Sequence, residues 1–226
     1  MRYEIDDRVA RITLDDGKAN AMSVPFFDEL ERLLDRADAD GAGALVIAGR
    51  PGMLSGGLDL KLLPTLSRDA LNELTRRFAR TMLRVFTLPM PTVAACTGHA
   101  IAGGAILSFA CDVRLALDGP FRIQMNEVAI GIPVPSWMLL IAGAAVPSRC
   151  RAEVLLHARV YGPREASEHG IVSELVADGG DPVGRATERA AALAALSRDA
   201  YATTKRRMRA ADAERALALL EGELPG

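Results

Sequence analysis

One carboxylate stands alone in Ile123-Gln124-Met125-Asn126-Glu127-Val128-Ala129-Ile130-Gly131-Ile132-Pro133, an otherwise uncharged and mostly apolar stretch. Desolvation in such surroundings raises a carboxyl pKa and makes Glu127 a better base near neutral pH. The plainer reading is a Glu on an exposed turn whose apolar neighbours face inward. Two glycine-rich segments could supply a partner to that base: Ser55-Gly56-Gly57-Leu58-Asp59-Leu60 and Ala102-Gly103-Gly104-Ala105. Neither fits GxGxxG or GxxxxGK[ST], which argues against dinucleotide and P-loop chemistry. Both leave the backbone bare where a helix is to begin, so amide N–H groups without intrahelical partners lie at the positive end of a helix dipole. Two such groups converging from different loops would form an oxyanion hole. Taken singly, either loop reads equally well as glycines that permit a tight turn.

Other chemistries find little support. Cys96, Cys111 and Cys150 are odd in number and far apart, without CxxC spacing, and read as free thiols in a reducing compartment. His99, His157 and His169 share no metal-ligand spacing, so no metal is expected. No GxSxG elbow accompanies His99, which weakens a Ser-His-Asp reading. Lys+Arg 27 against Asp+Glu 29 leaves a formal charge of −2, no footprint for nucleic acid. The longest apolar runs, around Ile101–Ala110 and Trp137–Val146, fall well short of the roughly twenty residues that span a bilayer. The acidic opening Met1-Arg2-Tyr3-Glu4-Ile5-Asp6-Asp7 does not read as a targeting peptide, so a cytoplasmic location is expected.

The elements that must position these groups alternate in type. Arg2–Ile5 and Val9–Leu14 read as strands joined at Asp6-Asp7. Ser23 and Pro25 open a helix to about Asp38 with apolar residues at helical spacing. Ala44–Ala48 and Thr92–Cys96 are continuous apolar runs, the mark of strands buried on both faces. A glycine-rich loop follows each, then a helix, over about Asp69–Phe86 and Gly103–Ala110; Val113–Leu117 is a further strand. This pattern predicts βαβ units on a mostly parallel sheet. Beyond it, Pro163–His169, Pro182–Leu196 and Ser197–Leu220 read as helices and Ile171–Val176 as the one clear strand. The 226 residues fit one domain with an appendage.

Together these segments resemble the crotonase (enoyl-CoA hydratase/isomerase) superfamily over nearly the whole chain. Asp16-Gly17-Lys18-Ala19-Asn20-Ala21-Met22 is similar to its early CoA-contacting loop. Pro51-Gly52-Met53-Leu54-Ser55-Gly56-Gly57-Leu58-Asp59-Leu60 resembles its first oxyanion-hole motif. Thr97-Gly98-His99-Ala100-Ile101-Ala102-Gly103-Gly104-Ala105 resembles the second, and Ala110-Cys111-Asp112-Val113-Arg114 the C-D-x-R after it. The resemblance implies an α/β crotonase (ClpP-like) spiral of ββα units with a C-terminal helical region. Residues 1–180 would form the core with a CoA-thioester site, and residues 181–226 a helical oligomerisation region in a homotrimer or hexamer. It implies backbone N–H groups of Leu58 and Gly103 as oxyanion donors and Glu127 as the catalytic carboxylate. Lys18, Ala19, Ala21, Ser55, Gly56, Gly57, Asp59, Leu60, Gly104 and Ile106 would complete the substrate-binding set. No cofactor is implied, coenzyme A being part of the substrate. Lys18, with Lys205-Arg206-Arg207 as helpers, is the candidate for the CoA phosphates.

Hydratases of this superfamily use two glutamates. The position of the first is Ile106 here, whereas the second matches Glu127. Arg122–Glu127 followed by Gly131-Ile132-Pro133-Val134-Pro135-Ser136-Trp137 is similar to the mitochondrial-type Δ3,Δ2-enoyl-CoA isomerases, in which one Glu suffices. The expectation is an isomerase of fatty acid metabolism that moves a double bond from C3–C4 to C2–C3. A hydratase or other crotonase-type lyase is the first alternative, and a non-catalytic acyl-CoA-binding protein the second.

Overall fold

The computed structural model describes residues 1–224. Strands β1 (Arg2–Asp6) and β2 (Val9–Thr13) form an antiparallel hairpin. Its two-residue turn is Asp7-Arg8, one residue beyond the expected site. Both residues have positive φ, 39° and 68°, a conformation that matches the right-handed twist of the strands. Helix α1 (Val24–Ala39) buries Phe27, Leu30, Leu33, Leu34 and Ala37 along one face, as the spacing predicts.

From there the chain repeats one unit three times. The first contains β3 (Ala44–Ala48), β4 (Gly52–Ser55) and α2 (Arg68–Thr87). The second contains β5 (Thr92–Cys96), β6 (Gly98–Ile101) and α3 (Gly103–Ala110). The third contains β7 (Val113–Leu117), β8 (Ile123–Gln124) and α4 (Ser136–Ala145). In each unit the first strand joins a six-stranded sheet, ordered β1-β2-β3-β5-β7-β9, and the second joins a three-stranded sheet, ordered β4-β6-β8. After the hairpin, the pairings between these strands are parallel. The chain then passes through α5 (Arg151–Leu155), α6 (Pro163–Glu168) and β9 (Glu174–Val176). It finishes with α7 (Pro182–Ala194) and α8 (Arg198–Glu223). This is the α/β crotonase spiral of ββα units.

The small sheet is the main departure from the sequence pattern, which predicts glycine-rich loops where β4 and β6 form. These strands are short and glycine-bearing, with little apolar alternation to show, and they pair only with residues distant in the chain. At Gly98 a side chain would collide with the Gly52 backbone, so glycine is what lets β4 and β6 meet. The Trp137–Val146 run, unassigned from sequence, is largely α4. The expected strand Ile171–Val176 shortens to Glu174–Val176, because Ile171 and Val172 turn inward as buried core residues.

The central strands β3 and β5 of the large sheet are buried on both faces, and residue parity divides them. Leu45, Ile47, Ala94 and Cys96 face the main core with α1 and α2. Val46, Ala48, Val93 and Leu115 face a second core closed by Ala186, Ala190 and Ala194 of α7. The helical region expected to serve assembly therefore also completes the core of its own chain. Helix α8 packs across α2 and α4. Among the described residues no helix is long and apolar enough to cross a membrane.

One buried cluster fixes α8. The Asp112 carboxylate accepts hydrogen bonds from Lys205 Nζ (2.8 Å), Arg209 (2.7 Å), Tyr201 Oη (2.9 Å) and the Thr92 amide (2.9 Å). Burial would push its pKa up, but the cations of Lys205 and Arg209 outweigh that and hold it below the usual carboxylate range. The C-D-x-R segment thus anchors structure. Its Arg114 donates to the carbonyls of Ile171 (3.0 Å) and Cys111 (2.9 Å).

Candidate active site

The site grows from the loop between β2 and α1. Asp16 takes backbone N–H groups of Lys18 (2.7 Å), Asn20 (2.9 Å) and Ala21 (3.2 Å) on its carboxylate, folding the loop back on itself. The buried Asn20 side chain then pins the loop to β4. Its amide donates to the carbonyls of Leu14 (3.0 Å) and Leu54 (2.9 Å), and its oxygen accepts from the Asp16 N–H (2.9 Å). Ser55 Oγ donates to the Asn20 carbonyl (2.7 Å) and accepts from the Gly57 N–H (3.1 Å). Met22 brackets the next peptides: its N–H donates to Gly57 O (2.8 Å) and its carbonyl accepts from Asp59 N (3.2 Å). Between these two bonds the Leu58 N–H is left without a protein acceptor among the described residues.

The second loop meets the first by close backbone approach. Gly57 has φ +84°, and a Cβ placed there would lie 2.8 Å from the Gly103 nitrogen. A Cβ on Gly103 would lie 2.8 Å from Met22 Sδ and 2.9 Å from Phe78 Cζ, and one on Gly104 would strike the Ser55 carbonyl. Gly103 opens α3, and Ala102 before it holds φ +50°, an uncommon conformation for a residue with a Cβ. Ala102 is held there by its N–H to Gln124 O (2.8 Å) and its carbonyl to Ile106 N (3.0 Å). The Gly103 N–H likewise has no protein acceptor among the described residues.

Glu127 follows β8 and enters a single turn, Val128–Ile130, closed by Gly131 at φ +77°. The Ile132 N–H donates to the Glu127 carbonyl (2.9 Å) and fixes the backbone. The side chain is 5% exposed, and Oε2 has no hydrogen-bond partner. Burial pushes the carboxyl pKa up, as the apolar sequence context predicts.

Leu58, Gly103 and Glu127 line one cleft of about 750 Å3. Its walls are mostly apolar, from Leu60, Leu63, Leu71, Phe78, Ile132 and Trp137 among others, with the buried Asn126 Oδ1 and Trp137 Nε1 left without hydrogen-bond partners. A base, two free backbone donors and a mostly apolar wall in one cleft can remove a proton beside a carbonyl and hold the resulting oxyanion.

The remaining expected residues lie apart from the cleft wall or at its edge. Gly56 and Leu60 line it, Leu60 at 56% exposure. Ser55, Gly57 and Gly104 shape the loops from behind, and Asp59 caps the Lys61 N–H (3.0 Å). Lys18 and Ala19 are exposed and Ala21 half-buried on the loop outside the cleft. Ile106 is fully buried and is not part of the cleft wall, so its apolar character acts on the core behind the site. Lys205 cannot serve a phosphate: it is 4% exposed and paired with Asp112. Helix spacing cannot show that partnership, since Asp112 is 93 residues away. Sequence reasoning also missed Asn20 as the loop's anchor, although the Asp16–Asn20 spacing is typical of side chains that bond to local backbone. It missed the walls supplied by α2 and by the end of α8, which no local pattern marks.

The family model for enoyl-CoA hydratase/isomerase matches residues 4–224, and the chain belongs to that family, the crotonase superfamily. A Thermus thermophilus protein named as an enoyl-CoA hydratase is 36% identical over 191 residues, 82% of this chain and 73% of that one. Human mitochondrial enoyl-CoA delta isomerase 1 is 29% identical over 160 residues, 70% of this chain but 53% of its own length. The crystal structure of the human mitochondrial delta3-delta2-enoyl-CoA isomerase superposes with a TM-score of 0.93 at 26% identity, covering 99% of this chain and 88% of that one. An enoyl-CoA isomerase from Mycobacterium tuberculosis superposes at 0.90 with 34% identity, covering 98% and 97%. That protein bears the name hydratase in another of its structures, so names among relatives do not divide the two activities.

Proposed function

We propose that the protein is an enoyl-CoA isomerase that converts a 3-enoyl-CoA to the 2-enoyl-CoA in fatty acid metabolism. The observation that carries this reading is that the cleft holds one free carboxylate. Two carboxylates line it among the described residues, and one of them, Glu223, is exposed and engaged with Ser136. Glu127 alone is buried and unspent.

The reaction needs one such group. Glu127 takes a proton from C2, and the electrons pass into a dienolate whose charge rests on the thioester oxygen. The Leu58 and Gly103 N–H groups receive that charge, each worth about 3–4 kcal/mol to the transition state. Glu127 then returns the proton to C4, leaving the double bond at C2–C3. No atoms are gained or lost, and no cofactor takes part because coenzyme A belongs to the substrate. Hydration would need a second acid–base group to handle water, and fully buried Ile106 cannot provide it. We further propose a homotrimer or hexamer as the working assembly.

The test is purified protein with a 3-enoyl-CoA. Formation of the 2-enoyl product supports the isomerase. Conversion of a 2-enoyl-CoA to its 3-hydroxyacyl-CoA at comparable rate would favour a hydratase, and tight binding without turnover a carrier.

A further inference from the structure

Met22 touches both of the loops that carry the free backbone donors, and it does so by two different means. Its backbone holds the first loop: the N–H donates to Gly57 O (2.8 Å) and the carbonyl accepts from Asp59 N (3.2 Å), so Leu58 is pinned from both sides. Its side chain meets the second loop, where a Cβ on Gly103 would lie 2.8 Å from Met22 Sδ. Met22 is fully buried and does not line the cleft. The loop that carries it is rooted two residues earlier, where Asn20 bonds Leu54 and Ser55.

The Gly103 peptide needs a backing of this kind. The direction of its N–H follows from the Ala102 backbone, at φ +50° and ψ −118°. A residue with a Cβ stays in so sparsely populated a conformation only where its surroundings over-determine it. Hydrogen bonds to Gln124 and Ile106 fix Ala102, but they leave the face of Gly103 itself to apolar contact. Met22 Sδ supplies one side of that contact and Phe78 the other, its Cζ 2.9 Å from the same Cβ position. The Phe78 ring is braced in turn, stacked on Phe27 at 5.3 Å and edge-on to Trp137 at 4.8 Å. We propose that Met22 is a positioning residue for the reaction: one side chain and its own backbone set the spacing and angle at which the Leu58 and Gly103 N–H groups meet the thioester oxygen. This rests on the acyl-CoA reading above and adds to it a residue that touches no substrate.

Variants at Met22 keep the backbone bonds to Gly57 and Asp59 and change only the backing of Gly103. Met22→Ala should lower kcat about 10–100-fold, since a misplacement of 1 Å can cost about 10²-fold. Affinity for butanoyl-CoA should stay within about threefold, because alignment in the transition state and binding in the ground state separate. Met22→Leu keeps an atom at the δ position and much of the volume, so kcat should stay within about threefold of wild type. Should Met22→Ala fold poorly, Met22→Val lacks the δ atom at smaller cost in bulk and should show the same loss. The signature that packing alone would not move is the infrared stretch of the bound butanoyl-CoA carbonyl, labelled with carbon-13. Wild type and Met22→Leu should shift it to lower frequency, Met22→Ala and Met22→Val less. Leu33→Ala, a core truncation on α1, should cost stability yet keep the full shift. An unchanged shift and kcat in both Met22→Ala and Met22→Val, or the same loss in Leu33→Ala, would overturn the role of Met22 and leave the acyl-CoA reading intact. A wild type that binds butanoyl-CoA without any carbonyl shift would overturn the oxyanion hole together with Met22, and no binding of any acyl-CoA would overturn the acyl-CoA reading as well.

Discussion

Gly57 and Gly103, 46 residues apart in sequence, pack so closely that a methyl group on Gly57 would sit 2.8 Å from the Gly103 nitrogen. The two free N–H groups of the candidate oxyanion hole therefore belong to loops that touch through bare backbone. Gly57 must lack a Cβ for this approach, and a Cβ on Gly103 would in turn lie 3.2 Å from the Gly57 Cα.

Gly57→Ala should separate the loops and also place a Cβ at φ +84°. The left-handed conformation costs about 1–2 kcal/mol for a residue with a Cβ, and misplacing one oxyanion donor costs about 10²–10³ in kcat. Gly56→Ala is the control, since its Cβ would meet nothing nearer than Ala19 at 3.6 Å. Denaturant unfolding and turnover of a 3-enoyl-CoA read the two effects. Equal activity of both variants would remove Gly57 from this role.

Glu127→Gln keeps the shape of the side chain and removes the base. The loss in kcat should reach about 10²–10⁴, with binding of a saturated acyl-CoA retained. Retention of near wild-type isomerisation would dismiss Glu127 as the base.

The same residue imposes a pH dependence of definite sign. Burial raises its folded-state pKa above the ordinary carboxylate value. Activity should therefore climb with pH at a higher pH than an exposed Glu would give. For stability, the folded chain holds a proton that the unfolded chain has already lost, across the window between the two pKa values. Stability from this group is full below the ordinary Glu range and declines as pH rises through the raised value. Glu127→Gln should abolish that decline, which denaturation midpoints from pH 4 to 9 would reveal.

Asp112→Asn would leave Lys205 buried without its counter-charge. Breaking a buried pair from one side costs about 3–5 kcal/mol, and α8 should loosen first. In the wild type the Asp112 pKa is depressed, so its contribution is present above the ordinary Asp range and fades as pH falls through the lowered value. A variant as stable as wild type, with the same acid limb, would contradict the anchor.

The assembly is best probed on exposed residues, because Lys205 and Leu220 place α8 within the core of its own chain. Met208, 69% exposed on α8, and Leu139 on α4 border a surface hollow of about 420 Å3. Exposed apolar clusters of this kind mark interfaces. Sedimentation velocity should find a trimer or hexamer for the wild type and a smaller species for Met208→Asp. An unchanged mass would move the interface elsewhere.

Much of this was legible in the chain itself. The buried strands Ala44–Ala48 and Thr92–Cys96 are continuous apolar runs because a parallel sheet covered on both faces leaves no position for a polar side chain. Glu127 and the two glycine loops were visible for a related reason: a lone carboxylate among apolar residues, and bare backbone beside a helix start, are local signals. The small sheet was not, since β4, β6 and β8 hold four, four and two residues and acquire their identity only from pairing across the fold. Nor was the fate of Lys205, which reads as one of three basic residues on a helix until Asp112 reaches it from the end of α3. The deep wall of the cleft was least legible, because Leu71, Trp137 and Leu220 come from three helices whose meeting depends on how the spiral closes. Sequence determined which residues prefer burial and which backbone is free to donate. Tertiary structure decided which of them face one another, because that depends on contacts between segments whose separation along the chain carries no local trace.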